Sequence, residues 1–339
     1  MVVTRSDVAR AAGVSPAVVS YVLNNGPRPV STDLRARVEE AVSRLGYRPN
    51  AIAAALRAGT TQSIGFLVPN PRNPFFAELA EAVERNFSER GYLVLTANTY
   101  YDRGREERYL RTFIDRNVDG LIFGAGVTLV ASPLPSVAQP VLVLDAPNGQ
   151  RGWSSIATED AEDAAMAVEH LQRHGHSLIG CIAGPPHVAT EAARIAGWVR
   201  QQDSVDLPSG SELVAYAEIS EEGGNAAALQ LLSQHGRPWA VHGRRPTALF
   251  VASDAQAVGA IHACYELGLR VPDDIAIVSM GGTRAAGYTI PPLTTLRQDV
   301  EYIAGTAAVH LLHRVSDSST PPLHARLRGN LVVGRSCGC

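Results

Sequence analysis

The sequence predicts a small all-α module followed by a two-lobed α/β core built on two doubly wound parallel sheets. Two observations carry this prediction. Capped, amphipathic helical segments fill the chain up to residue 48, and from Ser63 onward short β-rich runs alternate with helical stretches. Such alternation is typical of parallel sheets covered by helices on both faces. The alternation breaks near residues 155–160 and then resumes, which indicates two lobes.

Length and composition describe an ordinary globular protein. A chain of 339 residues suggests about two domains of roughly 150 residues with room for a small module. No apolar run approaches the roughly 18 residues of a membrane span. The N-terminus carries charges where a secretion signal needs an apolar segment, so we expect a cytoplasmic protein without membrane contact. Four scattered cysteines argue against a disulfide framework.

The net charge of −3 hides an asymmetry between the two ends of the chain. Residues 1–60 hold eight arginines against four acids, a balance of +4 that leaves −7 for the remainder. A basic module on an acidic body indicates a nucleic-acid contact at one end, although a solvated basic surface has the same composition.

The first two predicted helices are separated by a tight turn. Ser6-Asp7 can open one helix, Gly13 can take the positive φ of the turn, and Ser15 can cap a second helix that holds Pro16 in its first turn. Their apolar sides are Val8, Ala9 and Ala12 in the first helix and Val19, Val22 and Leu23 in the second. This is the pattern of a helix-turn-helix, whose second helix lies in the major groove of DNA.

A third helix completes the small core. Ser31 caps it, Gly46 ends it, and its apolar stripe is Leu34, Val38, Ala41 (or Val42) and Leu45. On the second helix, the outward side carries Pro16, Ala17, Ser20, Tyr21 and Asn24. These side chains are predicted to face base edges and phosphates, the alternative being that they are ordinary surface residues.

A short apolar helix is predicted between the module and the core, from the Asn50 cap to Arg57, with Gly59 behind it. It is shorter than the roughly 12–15 residues that an isolated helix needs in water. It also has no polar face, so its partners must lie outside its own chain segment.

The stretch "TRSDVARAAGVSPAVVSYVLNN…VSTDLRARVEEAVSRLGYRPNAIAAAL" closely resembles the N-terminal module of the lactose-repressor/galactose-repressor family of bacterial transcription regulators, and the resemblance covers nearly the whole chain. In that family the short helix is a hinge helix that orders on DNA, pairs with its copy in the dimer and inserts a Leu into the minor groove. The resemblance implies further DNA contacts by Thr4, Ser15, Asn50, Ala53 and Leu56. Tyr21 and Ala54 stand where the family often has Arg, so the operator sequence is expected to differ.

The resemblance also implies a periplasmic-binding-protein-like core with an effector cleft between its lobes. The residues at the family's cleft positions are Phe75, Asp160, Arg194, Asp254 and Gln298. From the residues alone, Asp254 also reads as a helix N-cap, and Arg194 as an exposed helix arginine. Polar groups that converge beside an aromatic ring favour a sugar as the effector, with a nucleobase or a protein corepressor as alternatives.

Enzyme and metal motifs are absent from the sequence. It contains no P-loop, no GxGxxG before a helix and no GxSxG elbow, so neither an enzyme nor a cofactor is predicted. His170, His174 and His176 have no Cys or carboxylate at ligand spacing, which favours a structural role. Cys337-Gly-Cys339 could bind a metal or oxidise, but a lone CxC does not define a site, and no metal site is predicted.

The predicted domains are a helix-turn-helix module at 1–48, a hinge at 49–60 and an effector-binding core at 61–339. The first lobe is assigned to about 61–158 plus 292–320, and the second to about 159–291 plus 321–339. The expected protein is a homodimeric repressor of a pseudopalindromic operator, with helices at 74–90 and 104–116 in the dimer interface. No heptad-patterned helix follows the core, which favours a dimer over a tetramer. A solute-binding protein that does not bind an operator, and a sugar-acting enzyme with an accessory module, are the alternative classes.

Overall fold

A computed structural model of the chain describes residues 3–23, 28–48, 55, 59–124, 137–144, 152–233 and 245–339. The chain divides into two units, Met1–Thr61 and Gln62–Cys339. Among the described helices, none has the length and apolar character needed to cross a membrane.

The described part of the first unit forms the helices α1 (Arg5–Ala12), α2 (Pro16–Leu23) and α3 (Thr32–Leu45). Their shared core is largely the predicted one: its buried apolar side chains are Val8, Ala9, Ala12, Val19, Val22, Val38 and Ala41, Leu23 and Leu45 pack on it partly buried, and Leu34 is not part of it. Gly13 and Gly46 adopt the predicted left-handed conformation at the ends of α1 and α3. The start of α1 was predicted wrongly at Ser6. Thr4 caps the helix instead, because its hydroxyl and backbone N–H exchange hydrogen bonds with Asp7 in a capping box.

Two arginines of α3 stabilise the ends of the other helices. Arg37 donates from Nη2 to the Ala12 carbonyl at 2.6 Å, and Arg35 donates from Nη1 to the Val22 carbonyl at 3.4 Å. The last carbonyls of a helix have no partner within the helix, so these bonds satisfy groups that are otherwise exposed. Part of the basic charge of this unit therefore also helps to hold the fold together.

The second unit contains two six-stranded sheets, each the centre of one lobe. The first sheet has the order β11-β5-β4-β3-β1-β2 and is parallel throughout. Its strands are β1 (Ser63–Val68), β2 (Leu93–Asn98), β3 (Gly120–Phe123), β4 (Val141–Leu144), β5 (Ser154–Thr158) and β11 (His324–Leu327). Helices α4 (Pro74–Ser88), α5 (Arg103–Asp115) and α10 (Val300–Ser316) pack on it.

The second sheet has the order β12-β10-β9-β8-β6-β7, with β12 antiparallel to β10. Its strands are β6 (Ile179–Ala183), β7 (Val214–Tyr216), β8 (Ala248–Val251), β9 (Ala276–Gly281), β10 (Thr294–Arg297) and β12 (Asn330–Val332). Helices α6 (Asp160–Arg173), α7 (Ala189–Asp203), α8 (Glu221–Leu232) and α9 (Asp254–Glu266) cover it. The two doubly wound sheets confirm the predicted fold class.

The sheets place two segments in the opposite lobe from the predicted one. Strand β10 lies in the second sheet, although 292–320 was assigned to the first lobe, and β11 lies in the first sheet, although 321–339 was assigned to the second. The chain thus passes between the lobes three times: between β5 and α6, between β10 and α10, and between β11 and β12. Each of these strands takes its place by pairing with a strand distant in sequence, for example β11 with β5. The local periodicity of the sequence cannot predict such pairing.

Candidate functional site

A cleft between the two lobes and the solvent at its mouth together contain about 510 Å³ of space not occupied by protein atoms. Side chains from both lobes and from the connection after β10 line it: Asn73, Phe75, Phe76, Tyr101, Val188, Thr190, Glu191, Arg194, Ile219, Ser253, Asp254, Met280, Thr283 and Gln298. Four of the five predicted effector residues are among them. The carboxyl ends of β8 and β9 supply several of the others, as is usual for ligand sites in doubly wound sheets.

Arg194 on α7 joins one wall of the cleft into a charged network. Its Nε donates to Asp160 Oδ1 at 2.7 Å, while its Nη1 donates to Glu191 Oε1 at 3.1 Å and to the Ala252 carbonyl at 2.7 Å. The side chain is 13% exposed and those of its two acidic partners 5% or less, so the ion pairs lie in a low-dielectric environment. Arg194 is therefore largely buried and held by ion pairs, and its interpretation as an exposed helix arginine is wrong.

Asp254, at the start of α9, has all its acceptor positions filled. Its Oδ1 accepts from the hydroxyls of Ser279 (2.6 Å) and Thr295 (2.7 Å), and its Oδ2 from the backbone N–H (2.7 Å) and hydroxyl (2.9 Å) of Thr283. A carboxylate offers about four acceptor positions. Burial raises the pKa of Asp254, while these donors oppose that shift. Ser253, not Asp254, is the cap of α9, because its hydroxyl accepts from Gln256 N–H.

The hydrogen bonding of the Gln298 side chain differs from that of Asp254. The Gln298 side chain is 5% exposed, and its amide nitrogen Nε2 is buried with no hydrogen-bond partner among the residues that the structure describes. Phe75 lies in the same cleft and packs edge-to-face on Phe76, with ring centroids 5.4 Å apart. A buried amide donor without an acceptor costs free energy, so its presence in a cleft indicates a missing acceptor.

The sequence did not point to two further cleft residues, Glu191 and Tyr101. Glu191 is 1% exposed and accepts from Gly184 N–H at 2.7 Å as well as from Arg194; burial raises the pKa of its carboxyl. Burial also raises the pKa of the Tyr101 hydroxyl, with the Glu191 charge adding to the effect. Tyr101 has a positive φ of 57°, which non-glycine residues seldom adopt, and no sequence pattern marked it.

Asp160 lies behind Arg194 and does not line the cleft itself. It accepts from the Thr158 hydroxyl at 2.8 Å and lines an adjoining hollow with Arg326. One turn further along α6, Asp163 accepts from Gly329 N–H at 3.1 and 2.9 Å through its two oxygens, and so fastens the connection between β11 and β12. Burial raises the pKa of Asp163 to about 6.

A second contact joins the lobes close to the cleft. Glu78 of α4 accepts through Oε1 from the backbone N–H of Arg284 at 2.8 Å. Arg284 follows Thr283, which lines the cleft, and Glu78 lies one turn along α4 from Phe75. This bond connects the two lobes through groups that are not part of any crossover.

In the helical unit, the predicted DNA-facing residues differ in exposure and in hydrogen bonding. Pro16 and Ala17 are exposed at the start of α2, Ser20 and Tyr21 are partly exposed further along it, and Ser15 accepts from Val18 N–H at 3.4 Å. Thr4 is occupied by the capping box of α1. The remaining predicted DNA contacts lie outside the described residues: Asn24, Asn50, Ala53 and Leu56.

Comparisons with known proteins agree over almost the whole chain. Residues 4–50 match the bacterial regulatory proteins of the lacI family, and residues 168–337 match a periplasmic binding protein-like domain. The chain is 32% identical to the HTH-type transcriptional repressor PurR of Escherichia coli O139:H28 (strain E24377A / ETEC), covering 98% of this chain and 96% of that protein. It is 34% identical to the ribose operon repressor of Escherichia coli (strain K12), covering 92% and 93%.

Comparison with solved structures agrees with these sequence matches. The lac repressor dimer bound to operator and the anti-inducer ONPF superimposes with a TM-score of 0.83 at 27% identity, over 99% of each chain. The complex of the transcriptional regulator CelR with cellobiose has a TM-score of 0.71 at 26% identity, over 98% of this chain and 99% of that one. The chain belongs to the lacI family of bacterial regulatory proteins and is a DNA-binding transcriptional repressor under the control of a small-molecule effector.

Proposed function

We propose that this repressor binds a neutral sugar in the cleft between its lobes and, as a homodimer, reads a pseudopalindromic operator. Residues 1–48 would contact the two half-sites and residues 49–60 the centre. The observation that carries the effector proposal is the buried, unpartnered Nε2 of Gln298, in a cleft that also contains Phe75. A sugar hydroxyl supplies the missing acceptor, and its apolar ring face suits an aromatic side chain.

The charges of the cleft support a neutral ligand. Among its lining residues, Glu191 and Asp254 carry carboxyl groups and Arg194 carries the guanidinium. That guanidinium already bonds Asp160 and Glu191. An anionic effector would therefore meet buried acids with little compensating charge, whereas hydroxyls can both donate and accept.

The names of two related proteins also support a sugar: one is a ribose operon repressor, and the other was solved with cellobiose. A nucleobase remains the alternative effector, since Phe75 would stack on any flat ring. Titration calorimetry with ribose, cellobiose, other mono- and disaccharides and free nucleobases separates the two classes. Binding of a nucleobase without binding of any sugar would overturn the choice of effector and leave the regulator intact.

The edge of the first sheet supports the dimer proposal. Strand β2 is an edge strand, and the large apolar side chains Leu93 and Tyr100 at its two ends are 61% and 49% exposed. Exposed apolar groups beside an open strand edge favour contact with another chain. A substitution Leu93→Glu is expected to shift the protein from dimer to monomer in sedimentation. An unchanged dimer would exclude this face as the interface.

The proposed function is tested by selecting binding sites from random duplex DNA at about 0.1 M salt, where nonspecific phosphate contacts are weakened. We expect a two-fold symmetric site, and a change in its affinity when the effector identified by calorimetry is added. Coupling of about 1–3 kcal/mol corresponds to roughly 5–150-fold in affinity. Recovery of unsorted DNA would contradict operator reading, and an affinity that is the same with and without effector would contradict the allosteric proposal.

A further inference from the structure

Two groups of potential metal ligands, separated by about half the chain, meet at the far end of the second lobe. His170 lies on the last turn of α6, His174 is the residue that caps its C-terminus, and Cys339 follows β12. Cys339 Sγ is 3.3 Å from His170 Nε2 and 3.1 Å from His174 Nε2. One ligand atom from each of these three residues lies within 4.8 Å of both others.

Local structure holds each group in position. Residues four apart on a helix share a face, so both imidazoles project to the same side of α6, with ring centroids 4.8 Å apart. On the other side, Ser336 bonds β9 in two ways, because its carbonyl accepts from Ile277 N–H at 2.7 Å and its hydroxyl donates to Ile277 O at 2.6 Å. Gly338 then turns the chain with φ +87°, a conformation suited to glycine, before Cys339 reaches the histidines.

The ligand types select a class of metal. Two imidazoles and a thiolate are borderline to soft donors, which suit Zn²⁺ and exclude hard ions such as Mg²⁺ and Ca²⁺. In a tetrahedral Zn²⁺ site, with Zn–N of about 2.0–2.1 Å and Zn–S of about 2.3 Å, neighbouring ligand atoms lie roughly 3.5 Å apart. The observed N–S separations of 3.1 and 3.3 Å need to expand by only a few tenths of an ångström.

We infer that His170, His174 and Cys339 form a Zn²⁺ site, with water in the fourth position, that fastens the segment after β12 to α6. Cys337, whose Sγ is 2.8 Å from Cys339 Sγ, is buried and accepts a hydrogen bond from Thr294 at 2.9 Å, so it supports Cys339 from within the core. His174 and Cys339 are exposed, which gives the ion a path from solvent.

The site is separate from the effector cleft. From Asp160, behind the cleft, to His170 is ten residues of helix, or roughly 15 Å at about 1.5 Å per residue. Binding of the ion fixes a segment that already pairs with β9 and β10, so it is expected to raise the unfolding temperature of the second lobe. It is not expected to alter the specificity of effector or DNA binding.

The test uses the untagged full-length chain, reduced and freed of metal with a chelator. Titration with Co²⁺ is expected to produce a thiolate-to-cobalt charge-transfer band and the visible bands of a tetrahedral site, saturating at one ion per chain. Zn²⁺ should then displace the cobalt. Competition with a chromophoric chelator gives the Zn²⁺ affinity of the parent and of each variant.

Cys339→Ser and His174→Gln are each expected to lower the Zn²⁺ affinity at least about a hundredfold, since losing groups outside the coordination sphere already costs about 10–100-fold. The matched control is His176→Gln, because His176 lies in the same segment but bonds Thr247 at 3.0 Å. It should bind Zn²⁺ as the parent does. His174 and Cys339 are exposed and His176 is partly buried, so circular dichroism checks that each variant is folded.

Three outcomes would overturn the inference. The first is a cobalt spectrum without a thiolate band. The second is equal Zn²⁺ affinity in the parent, Cys339→Ser and His174→Gln. The third is a Cys337–Cys339 disulfide, detected by mass spectrometry, in protein kept under reductant. A rise in unfolding temperature with Zn²⁺ in the parent but not in Cys339→Ser would support it by an independent measurement.

Discussion

The two sides of the effector cleft differ in how their polar groups are satisfied. On the side of the second lobe, Arg194 and Asp254 already have partners from four other segments of the protein. At the connection after β10, Gln298 Nε2 is buried with none. The resemblance implies that all three residues bind the effector. Their contacts differ, however: Arg194 and Asp254 are bonded to other protein groups, whereas Gln298 Nε2 can still take a ligand as its partner.

Residues at the ligand-binding positions of a family can therefore have different physical roles. A charged group that is saturated by protein donors shapes the cleft and resists rearrangement, whereas an unpartnered buried group gains most from a ligand. We therefore expect substitutions on the saturated side to reduce stability and those on the open side to reduce effector affinity. Substitutions of Arg194, Asp254 and Gln298 test this division, and one of Asp163 tests the buried carboxyl behind the cleft.

The largest effect is expected for Arg194→Met. Removing the guanidinium leaves the carboxylates of Asp160 and Glu191 buried without a cation. Breaking a buried ion pair in this way costs about 3–5 kcal/mol in the free energy of unfolding. Urea denaturation of the effector-free protein measures this cost, with Arg200→Met, which breaks an exposed pair with Glu162, as the control. A loss below about 1 kcal/mol would mean that Arg194 is free to serve the ligand.

A pH-dependent effect is expected at Asp163. Its pKa rises from an ordinary value of 3.8 to about 6 through burial, with Asp160 adding to the shift and Gly329, Arg194 and Arg328 opposing it. The folded chain then holds a proton that the unfolded chain releases, so stability falls as the pH rises from about 4 to about 6 and is level above. The full shift corresponds to up to about 3 kcal/mol.

Asp163→Asn removes this ionisation and keeps an oxygen for Gly329 N–H. The variant should therefore gain in unfolding temperature relative to the parent across that pH range. Differential scanning fluorimetry at intervals from pH 4 to pH 7 compares the two proteins. Parallel curves over the whole range would show that the raised pKa of Asp163 is not realised in solution.

For Asp254→Asn we expect an intermediate loss of about 1–3 kcal/mol, the cost of leaving a buried hydrogen bond unmade. The amide nitrogen can face the hydroxyls of Ser279 and Thr295, which can turn to accept, but not the Thr283 N–H, which only donates. Effector affinity, measured by calorimetry, should change less than stability does. The reverse order would place Asp254 among the direct ligands.

The smallest change in stability, and of opposite sign, is expected for Gln298→Leu. Removing an unpartnered buried amide should leave the effector-free protein as stable as the parent or more stable by up to about 1 kcal/mol. Its effector affinity should fall about tenfold or more, since 1.4 kcal/mol corresponds to a factor of ten. Retained affinity would remove Gln298 from the binding site and with it the main support for the sugar proposal.

Local patterns predicted most of the fold. Cap residues, apolar stripes and strand–helix alternation located α1 to α9 and most of the strands between them, because each depends on neighbours in sequence. Strand β5 was not predicted: its sequence, Ser154-Ser-Ile-Ala-Thr158, is half polar, and its partners are β4 and β11. The exchange of β10 and β11 between lobes escaped prediction for the same reason, since distant pairing decides it.

The sequence predicted several of the residues that lie in the cleft, but it did not predict their contacts. Family resemblance brought Phe75, Arg194, Asp254 and Gln298 to one cleft, but no pattern in the chain shows that Ser279 and Thr295 fill the acceptors of Asp254. His170 and Cys339 were set aside separately, because the histidines have no Cys or carboxylate at ligand spacing in the sequence and a lone CxC does not define a site. Their 3.3 Å approach depends on the course of the chain through the whole second lobe.

The Glu78–Arg284 bond has a consequence for the dose of effector that the regulated gene requires. A hydrogen bond to a charged group is worth at most about 1.5–3 kcal/mol at an exposed position, so losing this one would raise the fraction of molecules with separated lobes by at most roughly 10- to 150-fold. When the cleft fills only in those molecules, the apparent dissociation constant is the intrinsic one divided by that fraction. In that case Glu78 would help to set the effector concentration at which the repressor responds, although it does not line the cleft.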